Sequence, residues 1–118
     1  CTDSPLDYQL QALKRAYEFG VTFGAGCDSG CPGVPWGRCV WEEMGEYVYN
    51  LGMTPLEVIR CATYNNARII GFENKLGVIH AGAYADILIL EKDPSEDIAN
   101  FDSVWMVLRE GRIVRDYR

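Results

Sequence analysis

The spacing of apolar residues changes character once along this chain, at Gly71, and that change sets the fold class. Before it, apolar side chains recur every three or four residues, the period of helices with one buried face. After it come short aliphatic runs separated by Gly, Pro and Asp, the pattern of brief strands joined by turns. The chain therefore reads as α+β, with its helices ahead of a small antiparallel β unit. No repeat or low-complexity tract interrupts that order.

Punctuation residues place the elements. Residues 4–19 predict an amphipathic helix: Ser4 caps it, Pro5 suits its first turn, and Leu6, Leu10, Leu13 and Tyr17 form its apolar face. Gly20 supplies a left-handed stop. Val21-Thr22-Phe23-Gly24-Ala25 then predicts a short buried strand, followed by a Gly/Pro-rich loop from Asp28 to Gly37. A second helix is expected from about Gly37 to Leu51, with Val40, Met44, Tyr47, Val48 and Leu51 on one face. Thr54-Pro55-Leu56-Glu57 is a capping box that opens a third helix, with Leu56, Ile59, Thr63, Ala67 and Ile70 at helical intervals. Strands are expected at 76–79, 85–90, 104–108 and 112–114. Glu110-Gly111 is expected to make a hairpin turn anchored by Asp86, and Asp93-Pro94-Ser95 to precede a helical turn.

Composition narrows the function. A 118-residue chain that is 48% hydrophobic can bury a core, which disfavours disorder and suggests one domain at first sight. With 17 acidic and 11 basic side chains the net charge is −6, which argues against a nucleic-acid surface. No apolar run reaches the ~20 residues of a membrane helix, and no secretory leader is visible, so a cytoplasmic setting is expected. Five cysteines, at 1, 27, 31, 39 and 61, do not suit a disulfide framework, and reduced thiols are the expected state. Cys27, Cys31 and Cys39 lie close together but lack the second ligand pair of a structural zinc site, so small semi-buried thiols are favoured. His80 is the sole histidine, which excludes from this chain alone any mechanism that needs two.

Asp28 is the residue singled out for chemistry. It ends a predicted strand, and in α/β folds catalytic groups gather at the carboxyl ends of strands. A carboxylate there can ligate a metal or act as general base toward a water. Locally, an Asp that caps the turn before Ser29-Gly30 is the favoured alternative.

Four blocks shift that balance. Gly24-Ala25-Gly26-Cys27-Asp28-Ser29-Gly30 resembles a G-T-D-S/G signature. Thr54-Pro55-Leu56-Glu57 through Ala62-Thr63-Tyr64-Asn65-Asn66-Ala67-Arg68 to Gly71 resembles T-P-x-E…A-T-x-N-x-A-R…G. Lys75-Leu76-Gly77 through Ala85-Asp86-Ile87 resembles K-L-G-x-I-x-x-G-x-x-A-D-L, and Gly111-Arg112-Ile113-Val114 matches the ending. In this order they resemble the C-terminal portion of the metal-dependent amidohydrolases, in the imidazolonepropionase-like and Xaa-Pro dipeptidase-like branch.

The resemblance implies the last βα unit of a (β/α)8 TIM barrel over residues 1–72, and part of a composite β-sandwich over 73–118. It implies hydrolysis of C–N bonds in a small amide-type substrate by metal-activated water, with a divalent metal, zinc by preference. Asp28 becomes the metal ligand and general base, and Ser29, Gly30 and Trp36 belong to the substrate loop. Cys27 stands where the family often has Thr. The His-x-His pair and the other metal ligands of the family have no counterpart here. The isolated chain is therefore expected to bind no stoichiometric metal and to be inactive, and a homo-oligomer or complementing chain is a possible partner. The alternative is a non-catalytic structural or self-associating module derived from such an enzyme. On this reading Asn65, Asn66 and Lys75 are helix-surface and loop groups, and His80 a surface or hairpin residue.

Overall fold

The computed structural model describes residues 5–30, 32 and 36–117. Helix α1 spans Pro5–Glu18, α2 Cys39–Tyr49 and α3 Pro55–Arg60. A π-helical turn, Cys61–Asn65, follows directly, and α4, Asn66–Ile69, continues from it. After Gly71 come β1 (Ile87–Leu90), a 3-10 turn (Ile98–Asp102), β2 (Val104–Arg109) and β3 (Arg112–Asp116). The strands form one antiparallel sheet in the order β1-β2-β3. The switch from helices to strands thus falls where the apolar spacing placed it. The expected Ser4 cap lies outside the described residues.

Local chemistry explains the boundaries. Thr54 and Glu57 form the reciprocal capping box at the start of α3, with Pro55 in its first turn. The β2–β3 hairpin turns on Glu110 and Gly111, whose φ angles of 49° and 76° are both left-handed, as a two-residue turn of primed type requires. Asp86 anchors that turn as expected: its carboxylate accepts the Glu110 N–H at 2.7 Å.

Three expectations need correction. Residues 21–25 run extended but join no sheet among the described residues. The segment at 76–79 forms no strand: Leu76 and Gly77 bend and residues 78–79 are irregular. There Gly77, at φ 68°, lies so close to the Thr63 carbonyl that an added Cβ would collide with it, and Tyr84 N–H closes on Lys75 O at 2.9 Å. The backbone is committed to that turn and cannot form a ladder. The third correction concerns the helix opened by the capping box. Val58, Cys61 and Ala67 are its buried residues, while Leu56 in its first turn is 64% exposed and Ile70, displaced by the change of phase at the π-turn, is 61% exposed.

The core lies between α2, α3 and the 3-10 turn. Met44, Leu51, Met53, Val58, Cys61 and Ile98 form it, and Val58 is fully buried. Phe23 reaches this core from the extended segment. It sits edge-on between Tyr17 and Tyr47, with ring centroids 6.4 and 5.9 Å away. The radius of gyration is 15.7 Å, against about 13.5 Å for a compact domain of this length. Large apolar side chains remain outside, including Ile69 and Ile79.

Gly77 joins two of the family-like blocks by backbone contact. Gly77→Ala is expected to destabilise the chain by about 2–3 kcal/mol, from left-handed strain plus the collision with Thr63. Gly71→Ala, left-handed but in open space, is expected to cost only about 1 kcal/mol. Urea unfolding of both variants measures the difference, and equal losses would refute the close-approach account.

Candidate active site

The segment leading to Asp28 lacks strand neighbours, yet its backbone polar groups are met by side chains. Toward the π-turn, the Asn66 amide makes a reciprocal pair with Ala25. Its Oδ1 accepts the Ala25 N–H at 3.0 Å, and its Nδ2 donates to Ala25 O at 2.7 Å. Asn65 Nδ2 donates to Phe23 O at 2.8 Å. Toward α2, Tyr47 Oη donates to Gly24 O at 2.9 Å and Glu43 Oε2 accepts the Gly26 N–H at 3.0 Å. Residues 23 and 25 therefore bond on one side, and 24 and 26 on the other, which is the alternation of a β-strand. The primary amide of Asn66 stands in for the peptide group of a neighbouring strand. Gly24 leaves the room, since a Cβ there would run into the Asn66 amide oxygen.

Beyond this clasp the chain turns sharply. Asp28 takes φ 49°, a left-handed conformation that Asp tolerates better than most residues, and its side chain is exposed. Cys27 and Cys39 are joined in a disulfide whose Cα atoms lie 5.8 Å apart. This overturns the expectation of separate reduced thiols: the loop folds back on the start of α2 and brings together cysteines twelve positions apart. Cys31 lies outside the described residues. The Ser29 hydroxyl rests beside both sulfurs, 3.2 Å from Cys27 and 2.7 Å from Cys39. Trp36 lies over Gly30, where an added Cβ would come within 2.9 Å of its ring. Ser29, Gly30 and Trp36 thus share one closed loop with Asp28, and the Trp36 ring is 80% exposed.

Electrostatics reinforce the scaffold. Burial pushes the Tyr47 phenol far above its usual range, with the Glu43 carboxylate adding to the effect, so Tyr47 keeps its proton as a donor. Burial likewise raises the Cys61 thiol, the one free cysteine among the described residues. Glu57 is held below its ordinary value by the Thr54 N–H, the Thr54 hydroxyl and the Tyr17 hydroxyl. That last contact ties α1 to α3. His80 is exposed, with Nδ1 2.8 Å from Ala81 O, in agreement with a surface role.

Asn65 and Asn66 are more than the helix-surface groups the sequence suggested, and Glu43 and Tyr47 were not singled out at all. Two adjacent asparagines, poor helix formers that compete for backbone hydrogen bonds, were the available signal.

A family model described as the amidohydrolase family matches residues 1–114. This chain belongs to the amidohydrolase family. Ochratoxinase from Aspergillus niger is 38% identical over 113 residues, which cover 92% of this chain and 22% of that protein. The crystal structure of A. niger ochratoxinase superposes with a TM-score of 0.81 at 32% identity, covering 93% of this chain and 25% of the other. A Xaa-Pro dipeptidase solved with methionine in its active site gives a TM-score of 0.80 at 32% identity, covering 90% and 25%. An imidazolonepropionase from Symbiobacterium thermophilum is 28% identical over 109 residues, 87% of this chain and 25% of that protein. Both branches of the resemblance are therefore represented among the relatives. This small helix-and-sheet chain spans about a quarter of their length.

Among the described residues, no three His, Cys, Asp or Glu side chains come together as a metal site. Asp28 is exposed, and its carboxylate is of the hard oxygen type that suits a divalent ion. None of its described helices is long and apolar enough to cross a membrane.

The depressed Glu57 gives the amidohydrolase chain an acid-sensitive hinge. Its folded value lies below the unfolded value of about 4.3, so the ionised form favours the fold. That contribution is complete above the unfolded value and fades as pH falls through the folded one. Glu57→Gln is expected to flatten the acid limb of stability against pH, read by thermal unfolding between pH 3 and 6. An unchanged acid limb would exclude Glu57 as its source.

Proposed function

We propose that these 118 residues are a C-terminal portion of a metal-dependent amidohydrolase that cleaves an amide or related C–N bond in a small molecule. Residues 1–72 would end the barrel domain and 73–118 would form part of the small β domain. The observation that carries the reading is Asp28: an exposed carboxylate at the end of a clasped, strand-like segment, inside the Gly24–Gly30 block.

A divalent metal, zinc by family resemblance, would supply a bound water acidic enough to ionise near neutral pH. Asp28 would help hold that metal and would accept a proton from the water, to be passed to the leaving nitrogen. Ser29, Gly30 and Trp36 line the mouth beside it, where the exposed Trp36 ring offers an apolar platform to substrate. The remaining ligands lie outside this sequence. The apolar faces left open at Leu56, Ile69 and Ile70 are surfaces that neighbouring barrel elements would cover.

A chimera tests this directly: the chain replaces the matching quarter of A. niger ochratoxinase, and hydrolysis of that enzyme's own substrate is measured with added zinc. The chimera is expected to turn over, and Asp28→Asn to lower kcat by about 10²–10⁴-fold. The 118-residue chain alone is expected to be inactive. Turnover by the chain alone, or a fully active Asp28→Asn chimera, would contradict the proposal.

A further inference from the structure

We infer that Glu43, Tyr47, Asn65 and Asn66 are positioning residues for Asp28, gripping from two helices the backbone that carries it; the assignment rests on the reading of Asp28 as the working carboxylate. The grip has two differently built sides. On the α2 side, Glu43 Oε2 takes the Gly26 N–H while Tyr47 Oη lies 2.9 Å from both Gly24 O and Glu43 Oε1. Glu43 and Tyr47 are one helical turn apart, so both reach Gly24–Gly26, with the single Tyr47 hydroxyl proton shared between Gly24 O and Glu43. On the other side, Asn66 meets both the donor and the acceptor of Ala25, and Asn65 holds Phe23 O. Consecutive residues of an α-helix diverge by about 100°. Asn65 and Asn66 nevertheless both reach the segment, at the junction where the π-turn ends and α4 begins.

Only Cys27 separates Gly26 from Asp28, and Asp28 holds a left-handed φ of 49°. A shift of the Gly24–Gly26 backbone therefore carries Asp28 with it. Reacting groups tolerate little displacement, since misplacement by about 1 Å can cost 10²-fold in rate. The four side chains hydrogen-bond this segment through its backbone and act on the chemistry through Asp28.

The chemistry of each grip dictates the variants. Glu43→Gln keeps an oxygen for the Gly26 N–H, whereas Glu43→Ala removes it. Asn66→Asp keeps size and shape but turns an acceptor toward Ala25 O in place of a donor. In the uniformly labelled 118-residue chain, Glu43→Ala is expected to speed amide exchange at Gly26 roughly tenfold, and Asn66→Asp at Ala25. Both should move the Asp28 Cα resonance toward its random-coil position while Val58 stays protected. Glu43→Gln is expected to restore Asp28. If Asn66→Asp does not fold, Tyr47→Phe, which deletes one hydroxyl, carries the same expectation for Asp28. In the ochratoxinase chimera, Glu43→Ala is expected to lower kcat about tenfold or more with KM nearly unchanged, and Glu43→Gln to recover most of it. An Asp28 resonance that stays in place while the Ala25 and Gly26 amides are released would overturn the positioning role. A fully active Asp28→Asn chimera would instead remove the role of Asp28 and leave the grip itself standing.

Discussion

Two hydrogen bonds between the Asn66 side chain and the Ala25 backbone organise the functional end of this chain. A strand needs partners for its N–H and C=O groups, because an unmet polar group away from water costs about 1–3 kcal/mol. Here one primary amide supplies donor and acceptor together, as a neighbouring peptide would. Asn65 on the same side, and Glu43 with Tyr47 on the other, complete a strand-like alternation without a sheet. Phe23 adds an apolar anchor between Tyr17 and Tyr47, so the segment is held by packing as well as by hydrogen bonds.

That fixed segment makes the loop beyond it usable. Gly26 is bonded to Glu43, Cys27 is paired with Cys39 at the start of α2, and Asp28 follows them in a left-handed turn. The same helix therefore holds the two residues that lead into Asp28, through Glu43 and Cys39. The second half of the chain braces this arrangement from below: Gly77 presses on the Thr63 carbonyl, in the π-turn that presents Asn65 and Asn66. The blocks that resemble amidohydrolase signatures are thus in physical contact with one another, with Gly24 against Asn66 and Gly77 against Thr63.

Residues whose meaning is local were legible in the sequence. Thr54 and Glu57 cap a helix because four consecutive residues suffice to define that motif. Glu110-Gly111 makes its turn for the same reason. Asp28 could be singled out because Gly-rich context after a strand is a local signal. Residues whose partners lie far along the chain were not legible. Asn66 bonds a residue 41 positions away, and Cys27 meets Cys39 only once the loop has folded back. The π-turn was hidden as well, since its apolar residues keep an ordinary helical spacing while the backbone slips by one residue. Ile70, beyond the slip, then fell on the wrong face.

The most direct test is the side-chain amide of Asn66, observed by NMR in the 118-residue chain. Its NH2 protons give two resonances, and only one of them points at Ala25 O. If the amide substitutes for a strand neighbour, that proton is shifted downfield and exchanges with solvent at least tenfold more slowly than the amide of a free asparagine. Two resonances at free-asparagine positions and exchange rates would contradict the account, since the Ala25 backbone would then lack the partner on which the grip depends.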